Sequence, residues 1–281
     1  MASRVLSSQF LFNWRRNASA ILGTAIVAAC AVIVVAGPLL VSQNPYDLTQ
    51  LNLLDSFKPP AWLEGGDPRY LLGTDGQGRD VLAAIGVSAM VMACVIGTTL
   101  GLLAGYFGGR LDALIMRVAD VQLSFPSMLI ALFLMSAFGT GIDKVLIALT
   151  AVGWVVYART VRGSTLGEVE KEYVQAARVA GLSHGQIILK HVLPNVLTPL
   201  IVIATVQVGT FILIEASLSF LGVGVPITQP SLGLLIKNGF DVLFSGLWWT
   251  SVFPGLMIMA MVFGINLMGD FLRDELNPRL K

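Results

Sequence analysis

Few residues of this chain can do chemistry, and many of them stand in one stretch. From Glu172 to Pro194 the sequence reads EYVQAARVAGLSHGQIILKHVLP, a polar island between two hydrophobic runs. It holds both histidines, His184 and His191. A zinc hydrolase of the membrane would need H-E-x-x-H, which does not occur. The letters of Gly181 to Gly185 match G-x-S-x-G, but they lie in a stretch of helical composition and not at a strand-to-helix turn, so they support no serine hydrolase. Cys30 and Cys94 lie inside apolar runs, where cysteine acts as a small packing residue, so neither a disulfide nor a metal site is assigned. Gly73, Gly76 and Gly78 invite a phosphate-loop reading, but no lysine follows and no strand precedes them. A turn leading into the next apolar run is the better account. No catalytic residue is assigned.

Two other groups of polar residues and one proline invite a role. Glu215 is the one carboxylate well inside an apolar run, and acids placed there are functional candidates by default. It lies about 30 Å along a helix from the polar island. That depth admits two readings: pore lining or substrate contact, together with Ser217 and Ser219, or a hydrogen-bonded structural role. Asp120 and Asp270 stand at run ends, and Asp270, Arg273 and Asp274 are spaced to pair at i, i+3 and i+4. Pro126, early in the third run, predicts a kink that a gate can use.

The elements that must position these residues are membrane spans. The chain has 281 residues, is 55% apolar and has a mean hydropathy of +0.78. Only 12% of its residues are charged, against about 25% in a soluble domain. That is too little polar surface to cover a globule in water. The net charge of +1 gives no basis for binding nucleic acid. A bilayer core of about 30 Å takes roughly 20 apolar residues per helix. Six runs qualify: Ala18–Val41, Val81–Tyr106, Ala119–Phe138, Ile142–Ala158, Val196–Leu218 and Thr250–Phe271. The stretch Ser231–Leu247 is too broken by Lys237, Asn238 and Asp241 to be a seventh. The expected fold is an all-α integral membrane protein of six transmembrane helices.

Most of the 18 basic residues fall in the N-terminal tail, the second–third loop, the polar island and the C-terminal tail. The first outer loop is acidic instead, with Asp47, Asp55, Glu64, Asp67, Asp75 and Asp80. The positive-inside rule then puts both tails and the island in the cytoplasm. Arg79 and Asp80 fall at the outer edge of the second span, as an anchor, a salt bridge or a contact for a binding protein. The first span is longer than a signal-peptide core and has no clear cleavage site, so it is expected to remain as a helix. The divisions are a tail at 1–17, the first span at 18–41, an outer loop at 42–80, a five-span core at 81–271 and a tail at 272–281. The core carries the polar loop at 159–195.

Within that loop, Val169–Leu189 has helical composition interrupted by Gly181, which lets the backbone turn. Ile187, Ile188 and Leu189 form an apolar patch, and Pro194 is expected to stop the second helix before the fifth span. Two short helices under the membrane follow. Small residues on one face suit close approach by a partner protein. The same amphipathic pattern also suits a helix resting on lipid headgroups.

The loop resembles the EAA signature of ABC importer permeases at Gln175, Ala176, Ala177, Gly181, His191, Leu193 and Pro194. Gln175 stands where the signature has Glu, and His191 where it has Ile. Further segments resemble the dipeptide, oligopeptide and nickel permeases, C-type subunit. These are Leu72-Gly73-Thr74-Asp75 with Gly78-Arg79-Asp80, Met116-Arg117-Val118-Ala119-Asp120 with Phe125-Pro126, Glu215 to Gly222, and Asn266 to Asp270 with Leu272-Arg273-Asp274. Asn277-Pro278 departs from the usual Asp-Pro.

The resemblance implies a type I importer permease fold in a bacterial or archaeal inner membrane. It implies a second homologous permease, two ATP-binding subunits or one fused ATPase, and an extracytoplasmic substrate-binding protein. ATP and Mg would be held by the ATPase subunits, and this chain would bring no cofactor. The loop at 172–194 would couple ATPase closure to alternating access for short peptides. The same machine for nickel or a metal chelate is an alternative. A second alternative, an ATP-independent secondary transporter or channel, should show intramembrane charges and inverted repeats.

Overall fold

The computed structural model describes residues 8–40, 92–226 and 231–276. Arg79, Asp80, the glycines at 73–78, the start of the second span and Asn277-Pro278 lie outside the described residues. Every regular element among the described residues is helical. In chain order they are α1 (Ser8–Arg16), α2 (Ala18–Leu40), α3 (Met92–Phe107), α4 (Gly109–Leu123), α5 (Ser127–Phe138), α6 (Ile142–Val169), α7 (Glu172–Val179), α8 (His184–Ile187), α9 (Leu193–Phe220), α10 (Leu232–Asp241) and α11 (Trp249–Leu276). Helices dominate because a chain in hydrocarbon must satisfy its backbone internally. Helical segments at Asp143–Val169, His184–Phe220 and Trp249–Leu276 are each long and apolar enough to cross a membrane.

The closest packing is between α3 and α6. Gly97, Gly101 and Gly105 recur every fourth residue and so share one stripe of α3. A Cβ on Gly97 would lie 2.4 Å from the Trp154 carbonyl oxygen, one on Gly101 2.5 Å from that of Ala158, and one on Gly105 2.6 Å from Thr165 Cβ. No side chain fits in those gaps, so the two backbones touch. In lipid, where the hydrophobic effect does not drive helices together, such contact supplies the association energy. Phe211 of α9 closes in the same way on Gly153 of α6. Around these contacts Leu102, Met135, Leu149, Tyr157, Val161 and Leu218 form a buried core. A second core joins Cys30, Ala216, Leu232, Met257, Ile258 and Met261. There α2 and α11 interlock through Gly23 and Gly264. Large side chains such as Phe133, 71% exposed, and Leu114, 64% exposed, face outward, which hydrocarbon tolerates.

Three expectations are corrected. The third run, Ala119–Phe138, is not one continuous helix. Gly109–Leu123 and Ser127–Phe138 meet at 89°. The break falls at Ser124-Phe125-Pro126, where Pro126 has no N–H to continue the helix. Gln122 fixes the corner. Its amide Nε2 donates to the carbonyls of Ala151 and Val152 at 2.8 and 3.0 Å, and its Oε1 accepts from Trp154 Nε1 at 2.9 Å. The 12 residues of α5 rise only about 18 Å. The fourth run also extends past Ala158, because α6 continues to Val169. Arg159 and Arg162 therefore stand on a helix and pair with Asp120 and Asp112 of α4.

The third correction concerns Pro194. It does not stop a helix; it sits in the first turn of α9, where its missing N–H costs nothing. One π turn, Ile188–Val192, links α8 to α9 just before it. The wider turn gives room where the proline ring would otherwise press on the preceding carbonyls. The stretch after Ser231 forms only the 10-residue α10 and a short 3-10 turn, too short to span.

The α3–α6 stripe yields a direct test. Gly101→Leu should lose most of its folded, detergent-extractable population, read by size-exclusion profile and thermal midpoint. A change to Leu at Gly163, where a Cβ meets open space, should leave both nearly unchanged.

Candidate functional site

The polar loop joins α6 to α9 and folds as a helix–turn–helix of α7 and α8. Its turn is written into the local sequence. Gly181 adopts φ +77°, a left-handed conformation that glycine takes without strain. Its N–H donates to the Arg178 carbonyl at 3.0 Å, and the Leu182 N–H to that of Ala177 at 3.2 Å. This pair of bonds closes the end of α7 as a Schellman motif. Two residues on, Ser183 and Gln186 form a capping box. Gln186 N–H donates to Ser183 Oγ, while Gln186 Oε1 accepts from the Ser183 N–H at 3.1 Å. The sequence S-x-x-Q signals this box.

The loop divides into a rooted face and a free face. Val174, Ala177, Ile187 and Val192 are buried against the core of α6 and α9. Gln175, Ala176, Arg178, Ala180 and Gly181 are exposed. Val179 at the end of α7 is 89% exposed and Leu189 63% exposed, although both are apolar. The expected patch Ile187–Leu189 is thus split, with Ile187 inward and Leu189 outward. An apolar side chain left that bare beside a turn is suited to burial by another protein.

Polar contacts hold the root. Glu168, at the end of α6, is nearly buried and pairs with Lys171 at 2.6 Å. The Tyr173 hydroxyl donates to the Glu168 carboxylate, and Asn195 Nδ2 donates to the Tyr173 oxygen at 3.0 Å. Burial and the neighbouring Glu168 charge push the Tyr173 phenol above its ordinary value, so it remains a donor at neutral pH. Asn195 Nδ2 also donates to the His191 carbonyl at 2.7 Å, tying α7 to the start of α9. Gln175 Nε2 donates to the Val169 carbonyl at 3.0 Å. Glu168, Tyr173 and Asn195 escaped the motif reading. The spacing of Glu168 and Lys171 at i, i+3 was the available signal.

The other expected site residues lie elsewhere. Leu193 is half-buried and Pro194 exposed at the start of α9. Glu215, Ser217 and Ser219 stand near its far end, with Glu215 about 33 Å from Leu193 along the axis. Ser219 is fully buried; its hydroxyl donates to Glu215 Oε1 at 2.8 Å and accepts from the Val225 N–H at 3.2 Å. Glu215 thereby helps hold the loop after α9. Ser217 is exposed, with its hydroxyl donating to the Leu213 carbonyl at 2.7 Å. Asp120 pairs with Arg159 of α6, and Pro126 marks the α4–α5 corner. Among the described residues no ion pair joins Asp270, Arg273 and Asp274. All three are exposed, and pairing long side chains in water gains little. Arg273 instead lines a cavity of about 380 Å³ with Thr160, Thr198, Pro199, Val202 and Ile203.

Comparison with known proteins places this geometry in context. The family described as "Binding-protein-dependent transport system inner membrane component" matches residues 97–281. The chain is 35% identical to the Dipeptide transport system permease protein DppC of Haemophilus influenzae, covering 97% of this chain and 95% of that protein. It is 40% identical to the Di/tripeptide transport system permease protein DppC of Pseudomonas aeruginosa, covering 84% of this chain and 81% of that protein. It is 34% identical to the Oligopeptide transport system permease protein OppC of Bacillus subtilis, over 96% and 89% respectively.

The left-handed Gly181 gives the test of the turn. A Cβ there meets open space, so the penalty is backbone strain alone, about 1–2 kcal/mol. Gly181→Val should lower the thermal midpoint in detergent, and Gly181→Asn, which tolerates this conformation, should lower it less.

Proposed function

Because the chain belongs to the family of binding-protein-dependent transport inner membrane components, we propose that it forms half of the membrane pore of an ATP-driven importer of short peptides. A second, homologous permease supplies the other half. Two ATP-binding subunits, or one fused ATPase, dock beneath, and a substrate-binding protein delivers cargo from outside. The assembly sits in a bacterial inner membrane, crossed six times by this chain, with both of its termini in the cytoplasm. The chain hydrolyses no ATP itself; ATP and Mg belong to the partner ATPases. The peptide assignment draws on the relatives, which are named for dipeptides, di/tripeptides and oligopeptides.

The observation that carries the mechanism is the split of the polar loop into a rooted face and a bare one. The bare face, with Gln175, Ala176, Val179 and Gly181, is what an ATPase subunit grips. The rooted face, with Val174, Ala177 and Ile187, passes the displacement to α6 and α9. These are long, stiff helices. A push at one end therefore moves the far end, where Glu215 and Ser219 hold the outer loop. Closure of the ATPases biases a two-state bundle between inward and outward access.

Reconstitution in proteoliposomes with the partner permease, the ATPase subunits and a binding protein tests this reading. Peptide-loaded binding protein should stimulate hydrolysis and drive ATP-dependent uptake. Stimulation by a nickel chelate and not by peptides would replace the cargo. Uptake by this chain alone, without ATPase subunits, would overturn the ATP-driven reading in favour of a secondary transporter or channel.

A further inference from the structure

The docking loop touches one helix that is not its neighbour in sequence. Tyr106, in the last turn of α3, is 7% exposed. Its hydroxyl lies 2.9 Å from Nδ1 of His184, the first residue of α8. The two rings meet edge-on with centroids 5.6 Å apart, and Phe107 meets the same histidine at 5.7 Å. From the other side of the turn, the Arg178 guanidinium of α7 stands over the Tyr106 ring, 5.3 Å from its centroid. One buried tyrosine thus holds both helices of the loop, on either side of Gly181.

The place of Tyr106 gives this contact its consequence. Gly105, the preceding residue, is pressed against Thr165 in the α3–α6 stripe. Two residues later the chain turns through Gly108 and Gly109, both at positive φ, into α4. Tyr106 is therefore fixed to α6 behind and to the α3–α4 corner ahead. Chain continuity alone connects the docking loop only to α6 and α9. The contact adds a third path, into α3 and the broken α4–α5 segment.

We propose that Tyr106, His184 and Arg178 form a clamp that carries displacement of the docking loop into the α3–α4 corner, so that these positioning residues set how tightly ATP hydrolysis is tied to transport. The inference rests on the docking role proposed above. The hydroxyl–imidazole bond fixes the loop's angle against α3, and the cation over the ring resists its sliding. Loss of the clamp leaves the ATPase subunits gripping the loop while part of its motion is no longer transmitted.

The test is the number of ATP molecules hydrolysed per peptide imported by the full reconstituted transporter. Tyr106→Phe keeps the ring and removes the hydroxyl; His184→Ala removes the imidazole. Each should raise the ratio several-fold while assembly and stimulated hydrolysis persist. The double variant should be no worse than the worse single one, since both remove the same bond. His184→Asn, which offers a polar atom near the position of Nδ1, should restore much of the wild-type ratio. A wild-type ratio in assembled Tyr106→Phe overturns the clamp, and so does loss of assembly in His184→Ala beside a wild-type ratio in Tyr106→Phe. If wild-type protein shows no functional engagement of ATPase subunits, the docking reading itself falls, which is a separate outcome.

Discussion

The contact on which the rest of the structure depends is the approach of α3 to α6 along three glycines. Backbone against backbone leaves no slack, because Gly97, Gly101 and Gly105 each face an atom that a methyl group would strike. That approach fixes where α3 ends, and so where Tyr106 enters the polar loop. It also aligns α6 so that its extension past Ala158 can present Arg159 and Arg162 to α4. Dispersion between close backbones is weak per atom pair, yet summed over a long seam it orders two helices against each other.

Polar groups then do what apolar contact cannot, which is to fix angles. Gln122 binds two carbonyls of α6 and the Trp154 indole. Arg162 reaches Asp112 through two nitrogens, with the Nη2 contact at 2.6 Å. Glu168 is compensated by Lys171 and Tyr173 together. A buried carboxylate with one partner removed is costly, so these groups also specify which arrangement of helices is allowed. The Arg162 and Glu168 pairs lie toward the end of α6 that leads into the polar loop, whereas Gln122 grips that helix nearer its start.

Much of this was legible in the sequence, for physical reasons. Long apolar runs announced α2, α6, α9 and α11, since hydrocarbon demands them. Gly181 announced a turn, because its neighbours formed helices on either side. The break at Pro126 was foreseen only as a kink; a right-angle corner required the grip of Gln122, which depends on carbonyls 29 and 30 residues away. The course of α6 past Ala158 was hidden because charges there resembled a loop, until Asp112 and Asp120 appeared opposite them. Pro194 misled for a related reason, since its effect depends on its register within the turn that precedes it. The clamp at Tyr106 was invisible, because 78 residues separate it from His184.

The corner at Pro126 has a mechanical consequence. In a continuous helix, changing an angle means breaking backbone hydrogen bonds, which resist bending like the fibres of a beam. At Pro126 one such bond was never available, since the residue has no N–H to give. The angle between α4 and α5 is therefore set by side chains, through the hold of Gln122 on Ala151, Val152 and Trp154, and not by a backbone bond across the corner. Turning α5 against α4 would thus begin with the loss of three side-chain bonds, which makes one glutamine the pin of the corner.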